Sequence, residues 1–313
     1  MLQYHNVTPA HYFAPFDAGL FRLASLARQE LATLVGHVDL ALGVSELQPQ
    51  RARGDGIRAH RRAAAGGRPV TRHPANAAPG AREDPRHDDM INFLFVGRIA
   101  PNKKIEDHIW LAEHYKRYVD AYYRFIFVGK YDAVPRYYQS IRGMMTEYRL
   151  LAERFVFTGP VPDEDLAVYY RHAAVYISLS EHEGFCAPLL EAMATDVPIL
   201  AYSSAAVPET LGGAGVQFAP KDMEYAAELL GMLTFDDDLR ARVIAGQRKR
   251  LADFGDARIA PALSTLVAYS GGELPVMKLP LSSNAMAPRS SADRNSSAVS
   301  LRSGSPRSTR STS

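Results

Sequence analysis

Two carboxylates, Glu183 and Glu191, lie eight positions apart in the run Glu181-His-Glu-Gly-Phe-Cys-Ala-Pro-Leu-Leu-Glu191-Ala-Met-Ala. Upstream, Val-Tyr-Ile-Ser-Leu at 175–179 has the apolar, β-branched character of a short buried strand. Gly184 lends the following loop freedom, and Pro188 suits the first position of a helix, where its missing N–H would be unpaired in any case. A strand feeding a helix through a glycine-bearing loop leaves backbone N–H groups and the positive end of a helix dipole facing outward, which is a site for an anion. The spacing predicts Glu191 in the first turn of that helix and Glu183 in the loop before it. One carboxylate could then orient hydroxyls while the N–H groups hold a diphosphate. A plainer reading stands beside this one: two acids near a helix start, each gaining about 0.3–1 kcal/mol from the dipole.

The elements that must position this loop are legible from residue 92 onward. Short apolar runs at 93–96, 125–128, 155–157, 175–179, 199–202 and 216–218 read as buried strands. Amphipathic stretches near 104–120, 136–150, 163–171, 187–195 and 221–232 read as helices between them, and two more follow near 236–252 and 257–268. Strands joined by helical crossovers predict an α/β fold, a doubly wound parallel sheet covered on both faces. Ligands of such sheets bind beyond the carboxyl ends of the strands. Arg98, Gly129, Gly159 and Glu183 each follow a predicted strand at that end.

Composition narrows the function classes. Of 313 residues, 47% are hydrophobic and 22% charged, as in ordinary globular proteins. One cysteine excludes an internal disulfide and suits a reducing, cytoplasmic compartment. No apolar run approaches the roughly 18–20 residues of a membrane-spanning helix, so membrane contact is expected to be peripheral at most. Arginines crowd residues 49–89, nine against five acids, and 281–313, five against one, but no aromatics interleave with them. Nucleic acid is therefore not an expected partner. Asp236-Asp-Asp238 sits at a predicted helix start and reads as capping charge, so no metal site is expected there.

Two stretches lack the material for a core. Residues 271–313 are rich in Ser, Arg, Pro and Asn, the composition of a disordered tail. Residues 49–89 hold one Ile and one Val but no Leu, Phe, Tyr, Trp, Met or Lys. That is the composition of a disordered linker, and also of a GC-rich gene read out of frame. One back-translation of residues 52–64, shifted by a base, spells Leu-Glu-Ala-Met-Gly-Phe-Ala-His-Thr-Gly-Val-Leu-Pro. Met1 also directly precedes a segment that reads as buried strand, an unusual start for an independent fold.

The Glu183-x7-Glu191 segment resembles the Glu-x7-Glu signature of retaining glycosyltransferases of the GT-B fold, family 4 (group 1). The resemblance extends through Asn92-Phe-Leu-Phe-Val-Gly97-Arg98-Ile-Ala-Pro-Asn-Lys103-Lys104, Phe125-Ile-Phe-Val-Gly129, Arg154-Phe-Val156-Phe-Thr-Gly159 and Val207-Pro-Glu-Thr-Leu-Gly212. It covers about residues 91–255, the nucleotide-sugar-binding half of such an enzyme. Shorter matches, Leu2-Gln-Tyr-His5-Asn and Val38-Asp-Leu-Ala-Leu-Gly-Val-Ser45-Glu46, are similar to the last part of the family's acceptor domain. The resemblance implies four regions: 1–48, a remnant of an N-terminally shortened Rossmann-like acceptor domain; 49–89, the linker or frameshifted segment; 90–270, the nucleotide-sugar-binding domain; and 271–313, the tail. In the family a helix, glycine turn and strand follow the Ser-Glu pair, as the shifted reading of 52–64 also spells.

By the same resemblance the activity is metal-independent transfer of a hexose from a UDP- or GDP-sugar to a glycan or lipid-linked saccharide, with retention and without a cofactor. It would take place in the cytoplasm or at the inner face of the membrane. Glu183 would contact the donor sugar and Glu191 the ribose. Gly184, Phe185 and Cys186 would offer N–H groups to sugar and diphosphate, with Gly97, Gly129, Val156 and Lys104 completing the donor surface. Arg98 and Lys103 would stabilise charge on the departing diphosphate, as fixed cations do without a metal. His5 would face the donor sugar from the N-terminal side, although a histidine beside a strand is also what a satisfied core residue looks like. The family often has glycine where Cys186 stands, and cysteine lacks glycine's freedom at positive φ. A nucleotide-diphosphate-binding fragment without catalysis, or an epimerase of the same fold, would carry the same motifs.

Overall fold

The computed structural model describes residues 2–4, 6–34, 37, 41–43 and 90–255. The stretches 49–89 and 271–313, the helix expected near 257–268 and His5 lie outside these residues.

Near the start of the chain, β1 (Leu2–Tyr4) pairs in parallel with β2 (Ala41–Gly43), Leu2 opposite Ala41. Between them runs α1 (Ala18–Thr33), an element the sequence reading did not place. Asp17 caps it, its carboxylate accepting from the Leu20 N–H at 2.9 Å and so satisfying one of the first-turn donors. The β-α-β order with parallel pairing is the repeating unit of a Rossmann-like sheet.

The larger sheet has six parallel strands: β3 (Ile91–Val96), β4 (Tyr123–Val128), β5 (Phe155–Gly159), β6 (Val175–Ser178), β7 (Ile199–Tyr202) and β8 (Val216–Phe218). Their order is β5-β4-β3-β6-β7-β8. The direction of winding reverses between β3 and β6, and there a doubly wound sheet opens a crevice at its carboxyl edge.

Side chains alternate across the sheet with the period of two that a pleat imposes. Phe93, Phe95, Phe125 and Phe127 turn to one face and pack against α2 (Ile105–Tyr118), α3 (Pro135–Glu147) and a later helix, α7 (Met223–Phe235). Leu94, Ile126 and Tyr176 turn to the other and meet α4 (Asp163–Arg171), α5 (Ala187–Ala194) and α6 (Val207–Leu211). Both faces are covered, which is why these strands read as continuous apolar runs.

Every strand and helix expected within 90–255 is present, with ends displaced by at most a few residues. The segment Val207-Pro-Glu-Thr-Leu, expected as a turn, is the short helix α6, closed by Gly212 in the left-handed conformation (φ 56°). The last helix among the described residues, α8 (Asp237–Leu251), is capped by Asp236, whose carboxylate accepts from the Leu239 N–H at 2.8 Å. The capping role expected of the Asp236 run is therefore observed.

Candidate active site

Three glycines line the carboxyl ends of β3, β4 and β5. The Gly97 N–H donates to the Val128 carbonyl at 2.9 Å, and the Gly129 N–H to the Gly159 carbonyl at 3.0 Å. At Gly129 (φ 138°) a Cβ would lie 2.3 Å from the Gly97 carbonyl oxygen, so two backbones touch where no side chain fits. Gly129→Ala should therefore cost about 2 kcal/mol, a strained φ and a backbone overlap acting together, read as a shift in the urea midpoint. Val156 lies inside β5, opposite Ile126, and packs into the second core face.

From β3 the chain turns through Gly97 to Arg98, which is exposed; no hydrogen bond or ion pair engages it among the described residues. It then makes a 3-10 turn at Pro101–Lys103 and enters α2 through Lys104, held in the left-handed conformation (φ 53°). This turn meets the loop after β6 across the crevice. The Asn102 amide donates to the His182 carbonyl at 3.1 Å, and the Glu181 N–H donates to the Asn102 carbonyl at 3.0 Å. Lys103 Nζ lies 2.5 Å from Glu183 Oε1, with the glutamate side chain only 8% exposed. Two residues 80 apart in sequence, both expected at the site, thus form one partly buried ion pair.

Lys104 turns to other partners, Glu106 Oε1 at 3.2 Å and Glu181 Oε2 at 3.7 Å. Burial alone would lower its pKa, but these carboxylates outweigh it and raise the pKa above the usual lysine value. Lys221 joins the same cluster, pairing with Asp107 and with Glu181 at 3.1 Å, its ammonium 4.5 Å from the Tyr202 ring centre. Burial raises the Asp107 pKa despite the Lys221 contact. From the N-terminal segment, Tyr12 donates to Glu181 at 3.4 Å and the Asn6 amide to the Glu183 carbonyl at 3.3 Å.

The loop into α5 departs from expectation at two points. Cys186 holds the left-handed conformation (φ 64°, ψ 62°) in spite of its Cβ. Ala187 opens the helix, so Pro188 is its second residue rather than its first. Glu191 is consequently the fifth residue and lies beyond the first turn. Its carboxylate accepts from the Tyr170 hydroxyl at 2.9 Å, and Tyr170 also donates to the Pro188 carbonyl at 3.2 Å. Burial, aided by Asp163, raises the Glu191 pKa, with the Tyr170 bond acting the other way. Burial also pushes the Cys186 thiol well above its ordinary range.

Asn102, Tyr170, Lys221, Tyr12 and Asn6 were not foreseen. Asn102 sits one residue before Lys103, and a polar residue there was the one available hint; the others reach the site only through tertiary packing. No group of three or more His, Cys, Asp or Glu arranged to hold a metal occurs among the described residues. No helix among them is long and apolar enough to cross a membrane.

A six-stranded parallel sheet of order β5-β4-β3-β6-β7-β8, with glycine turns at its carboxyl edge, is the doubly wound α/β arrangement. Residues 81–250, more than half of the chain, match the family described as glycosyl transferases group 1, and the chain belongs to that family. It is similar to the serotype-specific mannosyltransferase WbdA of Escherichia coli, 27% identical over 166 residues, covering 52% of this chain and 20% of the relative. It is also similar to the O-antigen chain mannosyltransferase B of Escherichia coli, 38% identical over 81 residues, 26% of this chain and 21% of the relative. The chain thus spans about a fifth of the length of these relatives. Among solved structures it shares its fold with Anabaena Alr3699/HepE in complex with UDP and glucose. There the TM-score is 0.62 at 17% identity, with 85% of this chain and 70% of the other covered. The fold is accordingly α/β of the GT-B glycosyltransferase type.

Proposed function

We propose that residues 90–270 form the nucleotide-sugar-binding side of a retaining, metal-independent hexosyltransferase, and that residues 1–48 belong to its acceptor side. The observation that carries this reading is the Lys103–Glu183 pair across the strand-order reversal, flanked by the unengaged Arg98. The donor is a UDP- or GDP-sugar; the mannosyltransferases among the relatives favour mannose. The acceptor is a glycan or lipid-linked saccharide, met in the cytoplasm or at the inner face of a membrane.

In this mechanism the bond from the anomeric carbon to the diphosphate oxygen breaks first. Arg98 and Lys103 meet the charge growing on that oxygen. The acceptor hydroxyl adds on the same face and passes its proton to the departing diphosphate. Glu183, its carboxylate fixed by Lys103, holds the donor sugar. The N–H groups of Gly184, Phe185 and Cys186 face sugar and diphosphate, beside Gly97, Gly129, Val156 and Lys104. Glu191 accepts from the ribose hydroxyls, oriented by Tyr170. His5 faces the sugar from the N-terminal side.

Calorimetry on the full chain tests the assignment. UDP or GDP should bind, and Glu191→Ala should weaken a nucleoside diphosphate more than inorganic pyrophosphate, because pyrophosphate has no ribose. The preference for nucleoside diphosphate should also fade on acidification before an ordinary glutamate near 4.5 would protonate, since the raised Glu191 pKa makes the carboxylate take up its proton earlier. Equal losses for both ligands would remove Glu191 from the ribose role.

A further inference from the structure

We infer that Arg250, which lies at the end of α8, is a positioning residue for the Phe185–Cys186 loop and acts through Thr210 and Phe254. The loop needs such support. Cys186 holds a left-handed conformation that costs a residue with a Cβ about 1–2 kcal/mol, and such strain persists only where the surroundings over-determine it. Two contacts do so here. The Phe185 carbonyl accepts from the Thr210 hydroxyl at 2.5 Å, and the Phe185 ring meets Phe254 edge-on, centroids 5.8 Å apart.

Both supports converge on one guanidinium. Arg250 Nε donates to the Thr210 carbonyl at 3.1 Å, Nη2 to the Glu209 carbonyl at 2.7 Å, and Nη1 to Asp253 at 2.9 Å. Its carbon lies 4.7 Å from the Phe254 ring centre. Arg250 is 7% exposed and Thr210 is 1% exposed, so neither interaction competes with bulk water. The two carbonyls belong to the last residues of α6, whose partners would otherwise be missing at the helix end. Gly212, next in the chain, leaves the room that Arg250 fills: a Cβ there would stand 2.6 Å from the guanidinium carbon. The planar fork thus fixes α6, α6 fixes the Thr210 hydroxyl, and the hydroxyl fixes the carbonyl of a loop residue. A lysine could satisfy one of these acceptors but not the set.

The inference deepens the donor-site reading and rests on it for the ligand. Its test separates the two, because Cys186 is the chain's single cysteine and is buried. Thiol labelling under native conditions therefore reports opening of this loop without any nucleotide. Arg250→Lys and Thr210→Val should each speed labelling about tenfold and weaken UDP or GDP about tenfold, while the double variant should do little more than either alone, since the residues share one path. Thr210→Val leaves its backbone carbonyl for Arg250 and should lower the melting temperature less than Arg250→Lys does, so it decides the matter if Arg250→Lys folds poorly. Labelling unchanged in Thr210→Val, or effects of the two substitutions that multiply to about a hundredfold, would overturn the positioning role. Wild-type protein that binds neither UDP nor GDP would overturn the donor-site reading, and the labelling arm would still decide whether Arg250 holds the loop.

Discussion

Lys103→Met should cost about 3 kcal/mol, because it leaves the Glu183 carboxylate charged and unpartnered in a place nearly closed to water. The lysine itself is 20% exposed and the glutamate side chain 8%, so the loss falls at the lower end of what breaking a buried pair costs. Urea denaturation reads the effect. Adding Glu183→Gln should restore most of the stability, since an amide needs no counter-charge. Nucleoside diphosphate binding should not return with it, because the cation proposed to meet the diphosphate is still absent. A single variant as stable as wild type would mean that Glu183 is adequately solvated and that the pair is not what closes the crevice. A double variant that recovers both stability and binding would take Lys103 out of the diphosphate site.

The second large effect lies away from the chemistry. Gln247, on α8, is fully buried and bonded at both ends to the backbone leading into β7. Its Oε1 accepts from the Ile199 N–H at 3.0 Å and its Nε2 donates to the Val197 carbonyl at 2.8 Å. Gln247→Leu preserves volume but leaves both backbone groups without that partner in a dry interior, where each costs about 1–3 kcal/mol. A total loss of about 2–6 kcal/mol should appear as a lower denaturation midpoint. Gln247→Glu keeps the acceptor for Ile199 but sets a carboxylate against the Val197 carbonyl in that interior, and at neutral pH should cost at least as much. A neutral leucine variant would indicate that water or a backbone shift replaces the amide.

The sheet was readable because burial on both faces forces a simple rule on its strands. Phe93 to Val96 and Phe125 to Val128 are apolar at every position, and only a strand covered on both sides tolerates that. The helices between them follow from a 3.6-residue period. The loop chemistry was readable in part: Lys103 and Glu183 were both singled out, but their pairing with each other was not, and Arg98 stays unengaged among the described residues. The register of the α5 helix was not readable. Pro188 is acceptable at either of the first two helical positions, so the motif could not show that Cys186 would take the left-handed turn and move Glu191 past the first one. Asn102, Tyr170, Thr210 and Lys221 escaped for a different reason. Each is an ordinary polar residue locally and acquires its role only from a partner tens of positions away.

The same separation says when in folding the crevice can exist. Asn102 and Lys103 meet His182 and Glu183 across 80 residues, and six elements, α2, β4, α3, β5, α4 and β6, are threaded between them. Joining distant segments carries a loop-closure entropy that is repaid only when the intervening chain has packed. A chain emerging from the ribosome can finish β3, α2 and β4 early, yet it has no crevice until β6 slots in beside β3. The crevice therefore arises only in the step that joins β6 to β3 and so links the two halves of the sheet, and a chain stalled before that step lacks it.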